Sequence, residues 1–189
     1  METQTGGLHL LVGSCGSMAV LSLQTYLVHF SKVAESTRVI MTRAAETFLV
    51  AGAIEALSGN PVYRDGWHGG LRVPHLNLPE WADLFLVLPA TANILAKAAH
   101  GIADDLLSST ILAAEPPVFF VPAMNPDMWQ RRPVQRNVRM LEEDGHHVIT
   151  SPQLQIGFEA ATGTWVESDL MPTPGEVLDA VSNLLPSDT

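Results

Sequence analysis

The sequence predicts a single α/β domain in which a parallel β-sheet is covered by helices on both faces. Three observations predict it. Continuously apolar runs such as Leu84–Leu88 (LFLVL) and Val118–Val121 (VFFV) read as central strands, buried on both sides. Stretches of helical periodicity separate such runs, as in Met18–Lys32, where Ala19, Leu23, Leu27 and Phe30 share roughly one stripe. The chain has 189 residues, which suits one compact domain, and neither an internal repeat nor a linker divides it.

Each element has its own signal. Leu8–Gly13 (LHLLVG) is an apolar strand that stops at a glycine, and the helix of Met18–Lys32 follows. Thr37–Thr42 (TRVIMT) is β-branched and predicts a second strand. Ala44–Leu57 predicts a helix, ended by Ser58-Gly59-Asn60-Pro61. Pro61–Pro79 mixes Gly, Pro, Trp and His without a period and reads as a long loop, a length usually tied to function or to a partner. After the strand at Leu84–Leu88, Pro89-Ala90-Thr91-Ala92-Asn93 breaks the pattern and a helical stretch runs to about Ala113. Pro122 ends the strand at Val118–Val121, and Asn125–Glu143 is helical with Pro133 as a kink or break. His147–Thr150 is a shorter strand, and residues 152–172 form a loop or hairpin. Thr173-Pro174-Gly175-Glu176 is a capping box with proline at the first helical position, opening a last helix through Leu185. Repeated βα alternation makes this a three-layer, Rossmann-like (flavodoxin-like) arrangement. Ligands in such sheets bind at the carboxyl ends of the strands.

Composition removes several classes of function. Ten Lys+Arg against 20 Asp+Glu give a net charge of -10, and only Lys32 and Lys97 are lysines, so a basic nucleic-acid surface is not expected. A hydrophobic fraction of 47% with 16% charged residues excludes disorder and hints at surface buried between copies of the chain. Cys15 is the one cysteine, which excludes an internal disulfide framework and a Cys-rich metal site. No run has the length of a membrane span, and the METQTGG start lacks a basic signal region, so a cytoplasmic location is the default.

The chemistry should follow the strands. Gly13-Ser14-Cys15-Gly16-Ser17 places small residues before a helix N-terminus, which suits an anion such as phosphate and equally suits a tight turn. It is neither a G-x-G-x-x-G nor a P-loop sequence, which disfavours dinucleotide and Walker-type binding. Thr42, Arg43 and Phe48 offer a hydroxyl and an aromatic ring after the second strand; the plainer reading is an N-cap and a core phenylalanine. Pro89–Asn93 and Pro122–Trp129 each join a strand-ending proline to small residues and an asparagine. Asparagine carries both donor and acceptor, fitting the edge of a heterocycle or a carboxylate.

With these two loops the sequence resembles the homo-oligomeric flavin-containing cysteine decarboxylase family. The resemblance rests on Pro89-Ala90-Thr91-Ala92-Asn93, on the P-x-M-N-x-x-M-W loop matched in full from Pro122 to Trp129, and on His75, fourteen residues before Pro89. It covers nearly the whole chain. One branch of that family acts on phosphopantothenoylcysteine and carries a cysteine in a glycine-rich segment after the fifth strand. Here that region, PQLQIGFEAATGTWVE (Pro152–Glu167), has none, and Cys15 lies in the first loop. The departure points to the other branch, which acts on a C-terminal peptide cysteine. Phe158-Glu159 followed by Gly163 then resembles its substrate-clamp hairpin. His100, Ala103 and Asp105 depart from the family's usual Asn-Gly-x-Cys-Asp-Asn stretch.

The resemblance implies FMN as cofactor and no metal. Loss of CO2 from a cysteine needs an electron sink, which oxidation of Cβ–SH to a thioaldehyde provides and a flavin makes possible. The implied roles are His75 as proton acceptor or relay and Asn125 as holder of the carboxylate. Gly13, Ser14, Ser17, Thr42 and Ser108-Ser109-Thr110 are placed near the phosphate, Pro89, Ala90, Thr91, Ala92 and Phe48 near the ring, and Met124 either on the ring or in the core. Asn93 is placed near the substrate or the flavin edge, and Met128 and Phe158 near the substrate. The resemblance further implies trimers or dodecamers with sites at subunit contacts. The partner implied is a ribosomally made precursor peptide ending in cysteine, converted to an aminoenethiol for aminovinyl-cysteine rings of the lanthipeptide type. The alternatives are phosphopantothenoylcysteine decarboxylation and a non-catalytic FMN-binding regulatory subunit. The charge of -10 also implies a peptide that is not strongly acidic.

Overall fold

A computed structural model describes residues 7–66, 72–115, 117–151, 155–159, 163–168 and 171–184. Its main sheet contains β1 (Leu8–Ser14), β2 (Ala34–Met41), β3 (Val62–Tyr63), β4 (Leu84–Ala90), β5 (Phe119–Pro122) and β6 (His147–Val148). All pairings in it are parallel, in the order β3-β2-β1-β4-β5-β6. This is the Rossmann-like doubly wound sheet expected from the βα alternation, with the Rossmann rather than the flavodoxin strand order. The order reverses between β1 and β4, which opens a crevice at their carboxyl ends.

Two lateral rows explain both cores. Val62, Val39, Val12, Leu86 and Phe119 lie side by side across five strands and face one helix layer. One residue further on, Tyr63, Ile40, Gly13, Val87 and Phe120 face the other. Gly13 is the gap in that second row. A Cβ there would stand 2.3 Å from Leu107 Cδ1, so the missing side chain is the seat of Leu107. Each fully buried Val or Leu in these rows contributes about 2 kcal/mol.

The first face is covered by α1 (Leu23–Phe30), α3 (Ala51–Ser58) and α9 (Pro174–Leu184), with α1 packed on both others. The Tyr26 hydroxyl donates to the Pro172 carbonyl and ties α9 down. The expected capping box holds: Thr173 N–H donates to Glu176 Oε2 at 2.6 Å, and Glu176 N–H donates to Thr173 Oγ1 at 3.3 Å. The second face is covered by α4 (Pro74–Trp81) on α6 (Leu106–Ala113) and by α5 (Ala92–Ala99) on α8 (Arg132–Glu143).

Several expected boundaries move. Met18–Lys32 begins as a 3-10 turn, Met18–Ser22, before α1. Ala44–Leu57 is two helices, α2 (Arg43–Glu46) and α3, because Val50 is extended (φ -74°, ψ 126°) between them. The long loop expected over Pro61–Pro79 instead contains β3 and the first turns of α4. Pro74 supplies the first turn of α4, where its missing N–H costs nothing. The stretch from Ala92 to Ala113 breaks at His100–Asp105 into α5 and α6. Pro133 lies in the first turn of α8, after the short α7 (Pro126–Trp129), so it starts a helix and does not kink one. Residues 152–172 contain the antiparallel hairpin of β7 (Gln155–Glu159) and β8 (Thr164–Ser168), with Gly163 at φ 68° before β8. Among the described residues no helix is long and apolar enough to cross a membrane.

Candidate active site

Four helix or 3-10 starts follow strands of the main sheet directly and a fifth, that of α6, follows α5; each is capped by a side chain. Ser17 Oγ accepts from Ala19 N–H at 3.3 Å, Thr42 Oγ1 from Ala45 N–H at 3.3 Å and Thr91 Oγ1 from Ile94 N–H at 3.4 Å. Asp105 Oδ1 accepts from Ser108 N–H at 2.7 Å, and Asn125 Oδ1 from Asp127 N–H at 2.8 Å. The remaining N–H groups at these starts make the edge attractive to anions.

The loop after β1 is drawn against α2. Thr42 N–H and Thr42 Oγ1 both donate to the Ser14 carbonyl, at 3.0 and 3.2 Å. A Cβ on Gly16 would meet Ala44 Cβ at 2.4 Å and its carbonyl oxygen at 2.9 Å, so only glycine permits this approach. Ser14 Oγ is fully buried and has no hydrogen-bond partner among the described residues. An unsatisfied buried hydroxyl beside capped helix starts fits an anionic group such as a phosphate ester. Cys15, 3% exposed, lies under Thr91, which hydrogen-bonds its sulfur. Burial pushes its thiol up to about 12 against the opposing pull of Thr91. Such a thiol stays protonated and is not a nucleophile.

The loops after β4 and β5 are joined directly. Ala90 pairs with Pro122, and Ala123 N–H donates to the Ala90 carbonyl at 2.9 Å. Pro89 and Ala90 are buried, Thr91 and Ala92 half-buried, and Asn93 is exposed on the first turn of α5. Asn125 heads α7, Met124 packs partly against the second core, and Met128 is 49% exposed. Trp129 packs at the margin of the same core, and Gln135 Nε2 donates to its carbonyl at 2.7 Å. His75 is half-buried on the first turn of α4, and among the described residues nothing hydrogen-bonds its ring. His68 lies outside the described residues, and Phe158 stands opposite Trp165 in the hairpin register.

Other expected residues are occupied differently. Gly13 serves the packing of Leu107, as described above. Ser108 Oγ completes a capping box with Asp105, accepting from Asp105 N–H at 3.1 Å and donating to Asp105 Oδ1 at 2.8 Å. Ser109 Oγ donates to the Ala103 carbonyl at 3.4 Å and Thr110 Oγ1 to the Leu106 carbonyl at 2.7 Å. These hydroxyls serve the start of their own helix and leave little for a phosphate. Thr42 is the N-cap that the plainer reading expected, but Phe48 is 45% exposed and not a core residue.

One cluster has no counterpart in the sequence reading. Lys97 Nζ contacts Asp104 Oδ1 at 2.5 Å and Asp105 Oδ2 at 2.7 Å, while Asp65 Oδ1 accepts from Leu106 N–H at 2.8 Å. Burial would lower the Lys97 pKa, but hydrogen bonds to both carboxylates hold it above its ordinary value. Burial would raise that of Asp105, but Lys97 and both donors of Ser108 hold it below its ordinary value. The cluster pins the start of α6 to the end of α5. Its only sequence signal is the rarity of lysine in this chain.

Comparison with known proteins places this geometry. A family model described as Flavoprotein matches residues 1–185. Mersacidin decarboxylase of Bacillus sp. (strain HIL-Y85/54728) is 37% identical over 172 residues, covering 91% of this chain and 88% of that protein. The coenzyme A biosynthesis bifunctional protein CoaBC of Mycobacterium bovis is 37% identical over 180 residues, covering 95% of this chain but 43% of that protein. The chain thus spans less than half the length of that bifunctional relative. The solved structure of the peptidyl-cysteine decarboxylase EpiD superimposes with a TM-score of 0.81 at 27% identity, covering 94% of this chain and 100% of that one. Together with the loops after β4 and β5, these matches establish that the chain belongs to the flavoprotein family, among the homo-oligomeric flavin-containing cysteine decarboxylases.

Proposed function

We propose that this protein decarboxylates the C-terminal cysteine of a ribosomally made peptide with FMN as its cofactor, giving an aminoenethiol for aminovinyl-cysteine formation. One observation carries the peptide reading. Its only cysteine is Cys15, buried and protonated beneath Thr91, and the hairpin segment that holds a cysteine in the phosphopantothenoylcysteine branch holds none here. The coverage of the coenzyme A relatives keeps phosphopantothenoylcysteine as the second reading.

Ser14, Ser17 and Thr42 with the N–H groups around them would hold the phosphate, and Pro89–Ala92 would line the ring. Bound there, the flavin supplies the two-electron acceptor that lets Cβ–SH become C=S. Asn125 offers its side-chain amide to the substrate carboxylate while its Oδ1 caps α7. His75 takes the substrate proton through a ring with no hydrogen bond to a described residue. With C=S positioned β to the carboxylate, CO2 departs and its bonding electrons are delocalised onto sulfur. Copies of the chain assemble as trimers or higher multiples, and a neighbour completes each site. The protein works in the cytoplasm.

Mass spectrometry tests this directly. A peptide ending in cysteine should lose about 46 mass units, roughly 2 for two hydrogens and 44 for CO2, as the oxidative route requires. His75→Asn protein that still carries FMN should leave the peptide unchanged. Turnover of pantothenoylcysteine substrates with no change in any Cys-terminated peptide would overturn the assignment.

A further inference from the structure

We propose that the exposed arginine face of α8 docks an acidic segment of the substrate peptide, upstream of its C-terminal cysteine. The proposal rests on the peptidyl-cysteine reading and adds a charge requirement to it.

Four of the chain's ten basic residues fall between positions 131 and 139. Arg132, Arg136 and Arg139 recur at helical spacing along one stripe, and Arg131 stands at the N-cap of α8. All four are exposed, while Asn137, Val138 and Leu141 form the buried side of the helix. None of the four forms an ion pair with a described residue, although the chain has twice as many acidic as basic residues.

The arrangement works against the helix itself. Like charges one turn apart repel. Arg131 and Arg132 also stand at the helix start, where the dipole favours anions. A local cost of this kind, left uncompensated in a chain of net charge -10, marks a surface completed by something else. Guanidinium groups select carboxylates, which they can bind in bidentate fashion.

Position selects the partner. α8 continues from α7, whose cap is Asn125, and Arg131 N–H donates to the Met128 carbonyl at 3.1 Å. The arginine stripe therefore starts beside the loop that takes the substrate carboxylate and leads away from it. Along the axis the stripe covers about 10 Å, with roughly 6 Å between Arg132 and Arg136. An extended peptide repeats on one side every ~6.7 Å. Acidic residues at alternate positions would thus meet Arg132 and Arg136, with Arg139 about 4.5 Å further along the axis. The overall charge implied a partner that is not strongly acidic; this face reverses that expectation for one stretch of the peptide.

The test compares two peptides with the same Cys-terminated end, one preceded by an Asp/Glu-rich segment and one by a Ser/Gly segment. The acidic peptide should have a KM roughly tenfold lower, the scale of a few exposed ion pairs. R132Q/R136Q/R139Q protein should lose that preference while its kcat and its KM for the Ser/Gly peptide stay unchanged. R139Q alone should lose part of it, and FMN absorbance should report intact folding of both variants. Equal KM values in the wild type, or a preference that survives the triple substitution, would overturn the proposal. So would altered assembly size in light scattering with the preference intact, which would give the face to a second copy. Anisotropy of the labelled acidic peptide reads the face without turnover. Arginine-dependent binding with no decarboxylation would sink the peptidyl-cysteine reading and leave the docking face standing.

Discussion

Lys97 on α5 has 16% of its side chain exposed and two carboxylates on its ammonium, whereas Arg132, Arg136 and Arg139 on α8 are exposed and pair with no described carboxylate. The two helices pack against each other, so the contrast arises within one layer of the fold. Around Lys97 each carboxylate has a partner: Asp104 and Asp105 meet its ammonium, Asp105 also caps α6, and Asp65 accepts from Leu106 N–H. The cation there is part of the architecture. On α8 the arginines meet no carboxylate among the described residues. A cation enclosed by its own chain reports on folding; one left outside is the place to test for a partner.

The largest expected effect breaks the enclosed side. Lys97→Met leaves Asp104 and Asp105 facing each other without a cation, and urea unfolding should show a loss of about 2 kcal/mol, discounted for the exposure of Asp104. A change within error would mean that the cluster does not hold the α5–α6 junction.

Titration sharpens the same side. Because the folded state holds Asp105 below its ordinary value, its contribution is complete above the unfolded value near 3.8 and is lost as pH falls through the lower folded value. Because Lys97 is held above 10.5, its contribution is complete below that value and is lost as pH rises through the higher folded one. Asp105→Asn should flatten the acid limb of a stability–pH curve. An unchanged acid limb would assign that stability to other carboxylates.

The smallest effects belong to the exposed side. Arg136→Gln or Arg139→Gln should alter the unfolding free energy by less than about 0.5 kcal/mol. Raising ionic strength to about 1 M, where the screening length is ~3 Å, should likewise leave the Lys97 junction largely intact. The same salt should erase any preference for acidic peptides. A large stability loss in either arginine variant would erase the distinction between the two regions.

Much of this molecule is legible in its sequence because apolar runs and helical stripes are strong signals. LFLVL and VFFV became β4 and β5, and the Thr173–Glu176 box formed as written. What escaped has local physical reasons. α4 carries Pro74 at its start and Pro79 within it, so its residues read as loop until tertiary packing of Leu78 decides. The break between α2 and α3 falls at Val50, with neither Gly nor Pro to announce it. The site divides in the same way. The Asn-bearing loops are recognisable by residue type, but Gly13 and Ser108 looked like anion-loop residues when one is a seat for Leu107 and the other a helix cap. The Lys97 cluster joins residues 65, 97, 104 and 105, and only the fold brings those together.

The protonated, enclosed state of Cys15 has a practical consequence. With a pKa pushed up to about 12 and 3% exposure, the chain's one sulfhydryl resists alkylation and disulfide-exchange titrants while the protein is folded. Native protein therefore contributes almost no background to a thiol count. In the turnover proposed for a cysteine-ended peptide, the titratable sulfur in solution would be the substrate's and product's own, so sulfur stoichiometry could be followed without removing the enzyme.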